Sequence, residues 1–84
     1  KPPKMVLESP DGSAAIINER PVYFDRKSYT TAVYERSILK AGNEIAGPAL
    51  ISQTDSTTLV HPDHLARIDE YLNLVINPVT QAIH

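Results

Sequence analysis

Short apolar runs alternate with turn-forming residues about every eight to twelve positions along this chain, the spacing of an all-β domain. Met5-Val6-Leu7 predicts a short strand, and Ser9-Pro10-Asp11-Gly12-Ser13 predicts the turn after it. Ala14-Ala15-Ile16-Ile17 forms a second apolar segment. Dense β-branched and aromatic residues predict strands over 20–25 and 29–35, joined at Arg26-Lys27-Ser28. Residues 36–40 suit one helical turn, ended by Ala41-Gly42-Asn43. Gly47-Pro48 opens a strand that continues over 49–53 as an apolar run, because a missing N–H is tolerated at a strand's first residue. Thr54-Asp55-Ser56 bends the chain, and a strand resumes over 57–60. His61-Pro62-Asp63-His64 makes a turn, 65–69 alternates apolar with polar, and 72–76 is the last strand, stopped by Asn77-Pro78.

The expectation is therefore an all-β fold, a small barrel or sandwich of about seven short strands with at most one helical turn. Residues 1–4 read as a proline-rich linker, 5–77 as a single β-domain and 78–84 as a tail. With 84 residues, folding hides only about 60% of the unfolded surface, so edges need closure or a neighbour. That leaves little room for an interior active site.

Composition narrows the function classes. Ten acidic against eight basic residues give a formal charge of −2, without the basic stripe that nucleic-acid binding requires. No cysteine is present, which removes disulfide, thiolate and cysteine–metal chemistry and fits a cytoplasmic location. No stretch reaches the ~20 apolar residues of a membrane span.

The ordered pieces Arg20-Pro21-Val22-Tyr23-Phe24, Thr31-Ala32-Val33-Tyr34-Glu35-Arg36, 39–48 and Gly47-Pro48-Ala49-Leu50-Ile51, the last followed by Asp55-Ser56-Thr57-Thr58, resemble the C-terminal signature of one enzyme family. That family comprises the ATP-dependent hydantoinase A, 5-oxoprolinase and acetone or acetophenone carboxylase chains. Four positions depart from its pattern: Ala32 and Ala41 stand where proline is usual, Asp63 where glycine often follows Pro62, and Leu72 where glycine precedes Asn-Leu. The resemblance implies a module of a larger enzyme that couples ATP hydrolysis to cyclic-amide opening or ketone carboxylation. ATP and a divalent metal would belong to an upstream actin-like region of that parent, with no cofactor in this fragment. The implied partners are the upstream domains of the same chain and a second, hydantoinase B-like subunit.

The resemblance carries over no catalytic residue. The candidate interface is Arg36, Gly47, Pro48, Asp55, Ser56, Thr57 and Thr58, with Glu35, Glu44 or Asp55 as candidate partners of Arg36 across a domain boundary. An alternative from another class is a homodimeric aspartic hydrolase, since Asp55-Ser56-Thr57 resembles the Asp-(Ser/Thr)-Gly turn of aspartic proteases. Thr57 there replaces the glycine that lets two such carboxylates meet and share a proton. His61 and His64 flank Asp63 at a spacing compatible with zinc ligation, but Pro62 argues for a solvated turn. Lys40-Ala41-Gly42 is a poor match to the lysine hairpin of a biotin or lipoyl carrier.

Overall fold

A computed structural model describes residues 4–79. The chain runs β1 (Ile16–Phe24), β2 (Lys27–Glu35), β3 (Glu44–Ala46), β4 (Ala49–Ser52), β5 (Thr57–Val60), β6 (His64–Ile68) and β7 (Leu74–Pro78), with 3₁₀ turns at Ser13–Ala15 and Arg36–Ile38. Two sheets form, one ordered β1-β2-β4-β5 and the other β3-β6-β7. They pack as a sandwich rather than closing into a barrel.

All pairings are antiparallel except β2 with β4, which run parallel with Glu35 beside Ser52. Register assigns the faces of the larger sheet. Ala49, Ile51 and Val60 share its inner face and meet Ile45, Ala66 and Ile68 of the smaller sheet, with Ala15 and Leu39 from the connections closing the core. Tyr34, Leu74 and Ile76 pack at its margin. Ile51 and Val60 are fully enclosed at 0% exposure, so each contributes ~1.5–3 kcal/mol of burial. The outer face is also apolar, with Val33 and Leu50 buried beside half-buried Leu59. Continuous burial along Ala49-Leu50-Ile51 follows from this two-sided apolarity.

Several local expectations shift. Residues 5–7 form no strand; the segment is held by isolated bonds from Met5 N–H to the Glu70 carbonyl at 2.6 Å and from Glu8 N–H to the Ala41 carbonyl at 2.7 Å. The expected 14–17 and 20–25 segments merge into β1, with a bulge between Ile16 and Asn18. The hairpin turns at Asp25-Arg26, not at 26–28, because both residues take left-handed backbone (φ 48° and 65°), the geometry of a two-residue primed turn. β3 and the turn at Ser13–Ala15 were not expected. The last strand runs two residues later than the sequence pattern indicates, ending on Pro78 at a sheet edge where its missing N–H costs no ladder bond. The linker assigned to 1–4 and the tail assigned to 78–84 lie outside the described residues at 1–3 and 80–84.

Asn43, 6% exposed, ties the N-terminal segment to the core. Its side-chain carbonyl accepts the Lys40 N–H at 2.8 Å and its amide donates to the Ser9 carbonyl at 2.7 Å. Gly42 beside it has φ 96°, and a Cβ there would stand 2.5 Å from the Glu8 carbonyl oxygen. Only glycine fits that approach.

Candidate functional site

Parallel pairing of β2 with β4 builds the site. Because Glu35 lies beside Ser52, the residues that follow each strand emerge together at one end of the sheet. Glu35, Arg36 and Ser37 from one side and Gln53, Thr54, Asp55 and Ser56 from the other line a polar cleft of about 410 Å³. Arg36, Asp55 and Ser56 of the sequence-derived set are thus brought together. Thr57 sits exposed at the start of β5 and Thr58 half-buried on its inner face. Gly47 and Pro48, joined by a cis peptide bond, lie at the opposite end of β4 and take no part in the cleft.

Gly47 has a packing role instead. A Cβ on it would overlap the His61 carbonyl, with the carbonyl carbon 2.7 Å away, and its N–H donates to the His64 carbonyl at 2.8 Å. The β3–β4 link is thereby pressed against the β5–β6 turn. Phe24 seals the same region, stacking edge-on against Tyr29 and His61 with ring centroids 5.6 and 5.7 Å apart.

Turn residues of the Asp, Ser and Thr type ordinarily spend their side-chain oxygens on nearby backbone N–H groups. The 54–56 turn does not. It is closed by main chain alone, the Gln53 N–H donating to the Ser56 carbonyl at 2.8 Å and the Ser56 N–H returning to Gln53 at 3.4 Å. Among the described residues, Thr54, Asp55, Ser56 and Thr57 make no side-chain hydrogen bond. These four side chains are exposed.

Arg36 is engaged differently from expectation. Its guanidinium donates to the Leu72 carbonyl, not to a carboxylate; Glu35 instead accepts from the Ser37 N–H and hydroxyl, capping the 3₁₀ turn. Among the described residues the one ion pair is Lys40 with Glu8, exposed and 3.8 Å apart. Glu35, Ser37 and Gln53 were missed as cleft residues, because only the parallel register places 35–37 beside 53–56.

Hydrogen bonds from Ser13 hold the Asp11 carboxyl below its ordinary value, and bonds led by the Asn73 N–H do the same for Asp69. Burial, with a smaller effect from Asp11, pushes the Tyr34 phenol up.

Among the described residues, neither the glycines nor the histidines are arranged as a nucleotide or metal site. Gly12, Gly42 and Gly47 are each packed against other parts of the chain, so none opens a phosphate-cradling loop. The His61 and His64 rings lie tilted at 56° with centroids 5.9 Å apart, and among the described residues no three His, Asp or Glu side chains converge as ligands.

Comparison with known proteins agrees with this architecture. The profile of the hydantoinase/oxoprolinase C-terminal domain matches residues 3–77, and the chain belongs to that family. It is 29% identical over 82 residues to the acetophenone carboxylase gamma subunit of Aromatoleum aromaticum, covering 95% of this chain and 11% of that subunit. An uncharacterised protein of Methanocaldococcus jannaschii is 42% identical over 52 residues, covering 62% of this chain and 8% of the relative. A nucleotide-free acetone carboxylase structure superposes with a TM-score of 0.87 at 25% identity, over 94% of this chain and 11% of that one. The chain therefore spans about a tenth of the length of these relatives.

Proposed function

We propose that this domain is a non-catalytic docking module of a larger N-methylhydantoinase A-type or acetone carboxylase beta-type subunit. Its parent would couple ATP hydrolysis to cyclic-amide opening or ketone carboxylation in the cytoplasm, with ATP and a divalent metal held by upstream domains. The module packs against those domains and against a hydantoinase B-like second subunit. The observation that carries this reading is the signature turn: Thr54, Asp55, Ser56 and Thr57 present three hydroxyls and a carboxylate that make no side-chain hydrogen bond among the described residues. A turn closed by backbone alone leaves those groups free for a neighbour.

Asp55→Asn tests the reading. In the isolated domain the exposed substitution should change stability by no more than about 0.5 kcal/mol, and in the parent it should weaken packing of the domain onto its neighbours. Peptide hydrolysis by the isolated domain, abolished by Asp55→Asn, would overturn the proposal in favour of an aspartic hydrolase. No helix among the described residues is long and apolar enough to cross a membrane.

A further inference from the structure

We infer that the free edge of β5 receives an extended segment of the parent polypeptide as an added strand. The inference rests on the docking reading above and specifies its geometry. β5 is the last strand of the larger sheet and, among the described residues, pairs only with β4. In an antiparallel pair, alternate residues turn their N–H and C=O groups away from the partner strand. Among the described residues, 57–60 make no backbone bond to any other element.

The edges differ in how they resist such pairing. β1, at the other side of the same sheet, carries Glu19, Arg20, Pro21 and the Ile16/Asn18 bulge, all of which obstruct an incoming strand. In the smaller sheet, β7 ends in Pro78, and β3 is three residues long with Glu44 already bridged to Asp11. Thr57-Thr58-Leu59-Val60 has no charge, proline or bulge. Gly47 covers the Val60 end, leaving 57–59 open.

The occupant's chemistry follows from the two faces. Leu59 extends the outer apolar patch of Val33 and Leu50, whereas Thr58 lies beside Ile51 on the inner side. The added strand should be uncharged and free of proline, with an apolar residue beside Leu59 and a small or hydroxylated one beside Thr58. Three open residues span only ~10 Å, too little for a stable dimer interface of roughly 1,200 Å² between separate copies. A segment of the same polypeptide needs no such area, because tethering supplies a millimolar effective concentration. Relatives about ten times longer have ample chain to provide it.

Amide hydrogen exchange on the isolated domain and on the complete encoded polypeptide tests this. In the isolated domain, exchange along 57–59 should alternate between slow and fast; in the complete polypeptide the fast amides should slow by at least about tenfold. Leu59→Lys should restore fast exchange there in the complete polypeptide. Because Leu59 is half-buried, the isolated variant's melting temperature is measured alongside, and exchange that quickens only at 57–59 supports the inference whereas exchange that stays slow there overturns it. Protection of 35–37 and 53–56 without slowing at 57–59 would overturn the strand-addition inference and leave the docking reading standing. No added protection anywhere would overturn both. Slowing that depends on concentration in the isolated domain, or that falls on β7 instead, also contradicts the inference.

Discussion

The Arg36 guanidinium donates to the main-chain carbonyl of Leu72, a residue 36 positions away whose backbone is left-handed at φ 65°. The bond joins the end of β2 to the turn before β7. Leu72 is also where the family pattern has glycine, and Asp63, the other left-handed position that departs toward a side chain, has φ 67°. Both departures place an L side chain where glycine carries no steric penalty.

Leu72→Gly should therefore stabilise the domain. Left-handed backbone costs a non-glycine residue ~1–2 kcal/mol, offset by ~0.5–1 kcal/mol of glycine chain entropy. Leu72 is exposed, so little packing is lost. A net gain of up to ~1 kcal/mol by urea denaturation is expected, with Leu72→Ala giving none of it.

Gly47→Ala should have the opposite effect. The new methyl would overlap the His61 carbonyl and press on the Val60 carbonyl oxygen, 3.0 Å away. Both obstacles are backbone, which cannot rotate aside. Destabilisation of about 3 kcal/mol or more is expected, seen as loss of dispersed resonances from β4 and β5.

Asn43→Ala should cost ~2–3 kcal/mol, because it strands the Lys40 N–H and the Ser9 carbonyl in a part-buried site. Thermal melting checks this. Retention of a wild-type midpoint would show that the N-terminal segment adds nothing to stability.

Stability should fall at both extremes of pH. Asp11 and Asp69 have depressed values, so their contribution is complete above the unfolded carboxyl value of 3.8 and is lost as pH falls through the lower folded values. Tyr34 has a raised value, so the folded state holds its proton longer. Stability then declines as pH rises above the unfolded phenol value of 10.0. Asp69→Asn should flatten the acid limb and Tyr34→Phe the alkaline one in melts taken across pH.

Residues whose structure is set by neighbours in sequence were legible without coordinates. The apolar run ending at Ser52, the bend at Thr54-Asp55-Ser56 and the strand at Thr57–Val60 follow from propensity and turn chemistry. The Arg36 turn also follows, shortened to Arg36–Ile38. Long-range pairing was not legible: β3 is three residues containing a glutamate, and nothing local announces that β2 runs parallel to β4. The cleft depends on that parallel register, so Arg36 and the turn around Asp55 were identified while Ser37 and Gln53 were not. The turn at His61-Pro62-Asp63-His64 was expected, but the left-handed backbone at Asp25-Arg26, Asp63 and Leu72 was hidden because none carries the glycine that signals it.

The central claim, that this domain is a docking module of a larger ATP-dependent subunit, is tested most directly by sequencing the encoding frame upstream of Lys1. The account predicts a continuous open frame encoding an actin-like nucleotide-binding region. An initiation codon immediately before Lys1 would contradict it.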